Sequence, residues 1–176
     1  MHTRVLVVHA TKHGATGEIA EKIGDVLRRG GLSVDMLPAG QAGDPNDYDA
    51  VIIGSAVYAG RWRKAAAAYL RTWEEALSTR PVWLFSSGPT GEGAPVELTK
   101  GWEFPESLQP IAERIRPREI VLFHGALDPT KLSVLERWMI KAVDAPMGDY
   151  RDWEAIVAWA GAIVVVLNAV VGERVR

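Results

Sequence analysis

No cysteine occurs among the 176 residues. That excludes a disulfide framework, a thiolate metal site and a cysteine nucleophile, and it fits a reducing, cytoplasmic compartment. An excess of one charge is also missing. Twenty-two acidic residues face 20 basic ones, for a net charge of −2, which argues against a nucleic-acid partner. The four histidines show no ligand spacing such as HxxxH, so no metal site is expected. The chain has no GxxxxGK[ST] loop, no GxGxxG fingerprint and no GxSxG elbow. It also lacks internal repeats and low-complexity tracts. The run VLVV at 5–8 is far too short for a signal-peptide core.

Nearly half of the residues are hydrophobic, enough for the core of one domain spanning 1–176. Apolar, β-branched runs recur at 4–10, 32–37, 50–57, 81–87 and 119–126. Several are apolar on consecutive residues, as in strands buried on both faces of a parallel sheet. Helical spacing lies between them. Ile19, Ile23, Val26 and Leu27 share one face, ahead of Gly30-Gly31. Trp62, Ala66, Tyr69, Leu70, Trp73 and Leu77 define a second helix, and Leu108, Ile111, Ala112 and Ile115 a short third. Leu132, Leu135, Met139 and Val143 define a fourth, and 151–171 reads as the last. Strands alternating with helices predict right-handed βαβ units in a three-layer α/β domain with five parallel strands. The stretches 38–49, 88–106 and 144–150 read as irregular, and 88–106 is long enough to suggest a functional loop.

The segment HATKHGATGEIAEKI at 9–23 joins the first strand to the first helix. The first amides of a helix have no internal partner, and its dipole favours an anion there. Gly14 permits close backbone approach, and the Thr11 and Thr16 hydroxyls add donors. The loop therefore reads as a phosphate cradle. The plainer alternative is that Thr16 only caps the helix and Gly14 only makes a turn.

The spacing of TKHGAT resembles the loop that holds the FMN phosphate in the flavodoxin superfamily. GSAVYAGRW at 54–62 and SSGPTGEG at 86–93 are similar to the two loops that flank its flavin ring. The resemblance covers nearly the whole chain. It implies a flavodoxin-like sandwich with strand order 2-1-3-4-5 and FMN as cofactor. By that resemblance, FMN is held by Thr11, Lys12, His13, Gly14, Ala15 and Thr16. It is held further by Ser55, Ala56, Val57, Tyr58, Ala59 and Gly60, and by Ser86, Ser87, Gly88 and Pro89. VLFHGALDP at 121–129, RWMIKAV at 137–143 and DWEAI at 152–156 resemble the menaquinone-dependent protoporphyrinogen IX dehydrogenase branch.

Tyr58 suits stacking on a flavin face, and the planar fork of Arg61 suits a substrate carboxylate. Trp102, in the glycine-bearing loop after the fourth strand, suits a lid over flavin or substrate. Trp73, Trp83 and His124 read as core. Three functions remain open. The first is an FMN-dependent oxidoreductase, passing electrons from a reduced organic substrate to a quinone-like acceptor. The second is a flavodoxin electron carrier, although carriers of that family are strongly acidic and this chain is nearly neutral. The third is a non-redox module that kept the fold and lost FMN. No acid or base for catalysis is identified. The tail at 155–172 holds 18 residues without a charge. Its stripe of Ile156, Trp159, Ile163, Val166 and Val170 is expected to cover the sheet. Val165, Leu167, Ala169 and Val171 are expected to form a self-association face, hence a homodimer. Peripheral membrane contact ranks second and spanning last.

Overall fold

The computed structural model describes residues 3–174, and side chains as far as Val170. Strand β1 (Arg4–Ala10) leads into helix α1 (Ala15–Arg29) and strand β2 (Ser33–Pro38). Strand β3 (Ala50–Tyr58) then folds back into the short β4 (Arg61–Trp62). Helices α2 (Lys64–Thr72) and α3 (Glu74–Ser78) precede β5 (Val82–Ser87). Beyond it come α4 (Pro95–Leu98), α5 (Gln109–Ile115) and β6 (Glu119–Phe123). Strand β7 (Ala126–Leu127), α6 (Val134–Ala142), β8 (Gly148–Asp149) and α7 (Trp153–Arg174) complete the order.

The five long strands are parallel in the order β2-β1-β3-β5-β6, which is the expected 2-1-3-4-5 arrangement. Consecutive apolar residues explain why this sheet lies between two helical layers. Val5 and Val7 of β1 pack towards α1 and α7, with Ile19, Ile23, Ile156 and Ile163. Leu6 and Val8 of the same strand point the other way, to Leu70, Leu77 and Ile111. Both faces are dry, as a parallel sheet with helical cover requires.

Three expectations are corrected. Trp62 does not belong to a helix. Ala59 and Gly60 both take positive φ, 49° and 68°, which folds Arg61 and Trp62 back onto β3 as an antiparallel hairpin. The predicted second helix is in fact α2 and α3, divided at Trp73, which ends the one and precedes the other. The last strand stops at Phe123, and residues 126–127 leave the sheet to pair with 148–149.

The tail splits its apolar surface differently from the expected stripe. Ile156, Trp159, Ala160, Ile163 and Leu167 are buried, so Leu167 belongs to the sheet side. Full burial of side chains of this size stabilises by roughly 1.5–3 kcal/mol each. The Trp159 indole donates to Glu119 Oε2 at 2.7 Å, and Asn168 Nδ2 donates to the Gly30 carbonyl at 3.2 Å. Val165 and Ala169 are exposed on the side away from the sheet, and the Val171 side chain lies outside the described residues. By length and composition Trp153–Val170 is apolar enough to cross a membrane. Here it closes the layer over α1.

Candidate functional site

The C-terminal ends of β1, β3, β5 and β6 share one edge of the sheet, where open α/β sheets bind ligands. The loop after β1 is built to leave amides free. Gly14 caps α1 at φ 96°, and its own amide donates to Thr11 Oγ1 at 2.9 Å. The helical ladder starts with the Glu18 amide donating to the Gly14 carbonyl at 3.0 Å. The amides of Ala15, Thr16 and Gly17 stand ahead of that ladder. No side chain caps this end among the described residues. Thr16 is therefore not the cap: it lies buried in the first turn, beside the candidate site.

The basic residues of this loop are both engaged by α6, although Lys12 is exposed. Lys12 Nζ forms an ion pair with Glu136 of α6, and His13 Nε2 lies 3.2 Å from the same Oε1. Glu136 also closes a capping box with Ser133. The Lys12 ammonium, followed by the Ser133 amide, holds the Glu136 carboxyl far below the usual carboxylate range. Lys131 reaches the His13 carbonyl at 3.4 Å. The start of α1 is pinned from another direction. The largely buried Arg151 binds Glu18 Oε2 at 2.5 Å, Asp149 Oδ2 at 2.6 Å and the Ala15 carbonyl at 3.2 Å.

The second loop is the β3–β4 hairpin. Ser55 Oγ donates to the Ala56 carbonyl and accepts from the Arg63 amide, so it holds the hairpin in place. Ser86 Oγ accepts from the Trp62 indole and donates to the Glu103 carbonyl, each at 2.9 Å, which ties the long loop after β5 to the hairpin. Trp102 lies beside the hairpin turn: a Cβ on Gly60 would sit 3.7 Å from its indole nitrogen. Arg61 is exposed. The Tyr58 ring lies between Lys12 and Arg63, at 5.3 and 5.7 Å, and burial pushes its phenol pKa up.

These loops converge. Thr11, Lys12, His13, Ala15, Thr16, Ala56, Val57, Tyr58, Ser87 and Gly88 line one hollow. Gly14, Ser55, Ala59, Gly60, Ser86, Pro89, Arg61 and Trp102 do not line it; Ser55 and Ser86 are buried beneath the loops, and Ala59 and Gly60 are exposed at the hairpin turn. The fourth wall is Gly125, Ala126 and Leu127, which reasoning from the sequence did not assign to the site. A Cβ on Gly125 would fall 2.7 Å from the Gly88 carbonyl oxygen, so this wall closes only with glycine there. The hollow measures about 50 Å³, and a second of about 340 Å³ shares His13, Ala15, Ala126 and Leu127. His124 is buried, as expected, with its ring nitrogens 3.2 and 2.9 Å from the Pro89 and Gly93 carbonyls. It thereby anchors the loop after β5.

His9 contributes a pH dependence beside this edge. Its Nδ1 is buried without a hydrogen-bond partner among the described residues. Burial, opposed by Glu21, lowers its pKa. The unfolded chain takes up a proton at the ordinary value of about 6.5, which the native state resists. Stability should therefore be complete above that pH and fall on acidification below it. Urea midpoints of the wild type and His9→Leu, compared between about pH 7 and about pH 5, check this. An equal acid loss in both proteins would assign the dependence to other groups.

The comparisons with known proteins agree with this geometry. A family model described as Flavodoxin domain matches residues 6–153. Protoporphyrinogen IX dehydrogenase [quinone] of Escherichia coli K12 is 23% identical over 171 residues, covering 91% of this chain and 94% of that protein. A WrbA-like flavodoxin from Agrobacterium tumefaciens superposes with TM-score 0.58 at 11% identity, over 95% of this chain and 98% of that one. Rubredoxin oxygen:oxidoreductase from Desulfovibrio gigas gives TM-score 0.64 at 14% identity over 94% of this chain, which spans 36% of that larger protein. At such identities the structures show the fold alone. Sheet order, the glycine-capped loop after β1 and a family match over most of the length lead to one conclusion: the chain belongs to the flavodoxin-domain family.

Proposed function

We propose that the protein is an FMN-dependent oxidoreductase that passes electrons from a reduced organic substrate to a quinone-like acceptor. The observation that carries the flavin reading is the convergence of four strand-end loops around free helix amides. The residues fit the cofactor. The amides of residues 15–17 and Thr16 would hold its phosphate. Ala56–Tyr58 and Ser87–Gly88 would flank its ring. In the loop after β5, Thr90 Oγ1 is buried with no partner among the described residues. When bound, the flavin supplies two-electron chemistry between donor and acceptor.

The chain's own residues set the terms of that binding. A hollow of about 50 Å³ is well below the ~300 Å³ of small ligand sites. The adjoining hollow of about 340 Å³ shares His13, Ala15, Ala126 and Leu127 with it, and Lys12 and Tyr58 border the smaller one. Glu136 opposes an incoming phosphate, because it engages Lys12 and His13 and adds a like charge. Glu136→Gln keeps the capping box, which accepts glutamine, and removes the charge. FMN affinity should rise roughly twofold to fivefold, as read by flavin fluorescence quenching. Weaker binding would mean that Glu136 supports the site rather than competes for it.

The choice of acceptor and substrate is supported by likeness to the dehydrogenase over nearly full length. The flavodoxin carrier is the second reading, supported by the fold, and the near-neutral charge disfavours it. An anaerobic assay of the flavin-loaded protein with protoporphyrinogen and a quinone decides. Turnover of both is expected. Flavin reduction only by a partner protein would leave the carrier reading.

A further inference from the structure

Helix α6 turns its apolar residues outward. The expected face of Leu132, Leu135, Met139 and Val143 meets the protein only through Leu132, which precedes the helix and is buried. Val134 is 81% exposed, Leu135 68%, Trp138 74%, Met139 56% and Val143 74%. At 100° per residue these five fill one half of the helix circumference. Glu136 points inward to Lys12 and His13, and Ile140 beside it is half-buried. Arg137 and Lys141, one turn apart, border the apolar half. An exposed apolar patch of this kind marks an interaction surface.

We propose that α6 is an interfacial helix that seats the protein on an anionic lipid surface. Three observations favour lipid over a protein partner. The helix is a convex ridge of nine residues, about 14 Å long. A short exposed ridge of this kind inserts into a bilayer interface without needing a complementary groove. Its chemistry is that of an interfacial helix: tryptophan and aliphatic side chains on one half, bordered by two cations, with its one acid neutralised from within by Lys12. Asp144, just past the helix, is the nearest acid left. The ridge also continues towards the candidate site. A Cβ on Gly91 would meet Leu98 at 3.4 Å and Pro146 at 3.6 Å, and Leu98 and Met147 are exposed as well. The apolar margin thus runs from α6 to the loop after β5. A lipid-dissolved reactant would enter there, but the binding itself does not depend on flavin or turnover.

Flotation of the full chain with phosphatidylcholine vesicles, with and without phosphatidylglycerol, tests the proposal. The wild type should float with the anionic vesicles and stay largely behind with neutral ones. The double variant Leu135→Glu/Trp138→Glu changes only exposed side chains and should keep its far-ultraviolet circular dichroism. It should lose binding by roughly tenfold or more. Arg137→Gln and Lys141→Gln should each lose roughly fivefold on anionic vesicles only. Val165→Glu, on the exposed side of α7, should bind like the wild type. The proposal is overturned if the wild type ignores both vesicles, binds both equally, or keeps its binding in the double variant. It is equally overturned if Val165→Glu alone abolishes flotation. Light scattering that shows a dimer split by the α6 variant, with no flotation, would reassign the ridge to self-association.

Discussion

Thr16→Val should weaken FMN binding by roughly tenfold to a hundredfold while leaving riboflavin binding unchanged. Valine keeps the shape of threonine and removes only the hydroxyl, so the buried first turn of α1 stays packed. Riboflavin carries the same ring without the phosphate. The difference between the two ligands therefore isolates the phosphate contact from everything else in the site. A hydrogen bond to a charged group contributes about 1.5–3 kcal/mol, which sets the size of the effect. The free amides of residues 15–17 remain in the variant, so binding should fall and not vanish. Fluorescence titrations with both ligands give the answer. An equal fall for both would place the phosphate away from this loop. No fall for either would show that Thr16 serves packing alone.

The second large effect concerns the sheet beneath the site. Gly54→Ala should destabilise the fold by about 3 kcal/mol or more, the upper end of overpacking costs. A Cβ on Gly54 would lie 2.0 Å from the Phe85 ring, and Phe85 is fully buried. That ring cannot move freely. It packs on Phe123 at 5.9 Å and on Trp159 at 6.1 Å, which joins β5, β6 and α7. At this chain length 1 kcal/mol corresponds to about 2–4 °C, so the melting temperature should drop by roughly 6–12 °C. Phe85→Leu alone should also destabilise, through the cavity it leaves. Combined with Gly54→Ala it should cost less than the two changes summed, because the new methyl fills the vacated space. Additive losses in a thermal double-mutant cycle would show that the two residues do not compete for one volume.

The same contact shows why a glycine sits within an otherwise apolar strand. In the sequence Gly54 reads as the start of a loop motif. In the fold it is an interior strand residue that makes room for an aromatic ring across β5.

Local chemistry was enough to determine the sheet and half of the site. Consecutive Val, Leu and Ile residues mark buried strands, because such runs have no polar face to give to water. Thr11–Thr16 was legible as the turn from a buried strand into an amphipathic helix, because a glycine between two such apolar patterns marks a change of direction. What tertiary structure alone decided depends on distances that no local pattern encodes. Trp62 has helical spacing from Ala66, but two positive-φ residues turn it into a hairpin. Gly125 joins the site because its backbone reaches Gly88, and the Ala126–Asp149 pairing that shapes this wall spans the whole of α6. Glu136 lies 124 residues from Lys12 in sequence, so its ion pair could not be read from spacing. Most telling is α6. Periodicity put Leu135, Met139 and Val143 on one side but wrongly added Leu132, which precedes the helix and is buried, and a period states only that residues share a side. Whether that side meets the core or the outside depends on which surface the rest of the chain has already covered. Here α1 and α7 had covered it, and α6 was left with its apolar half exposed.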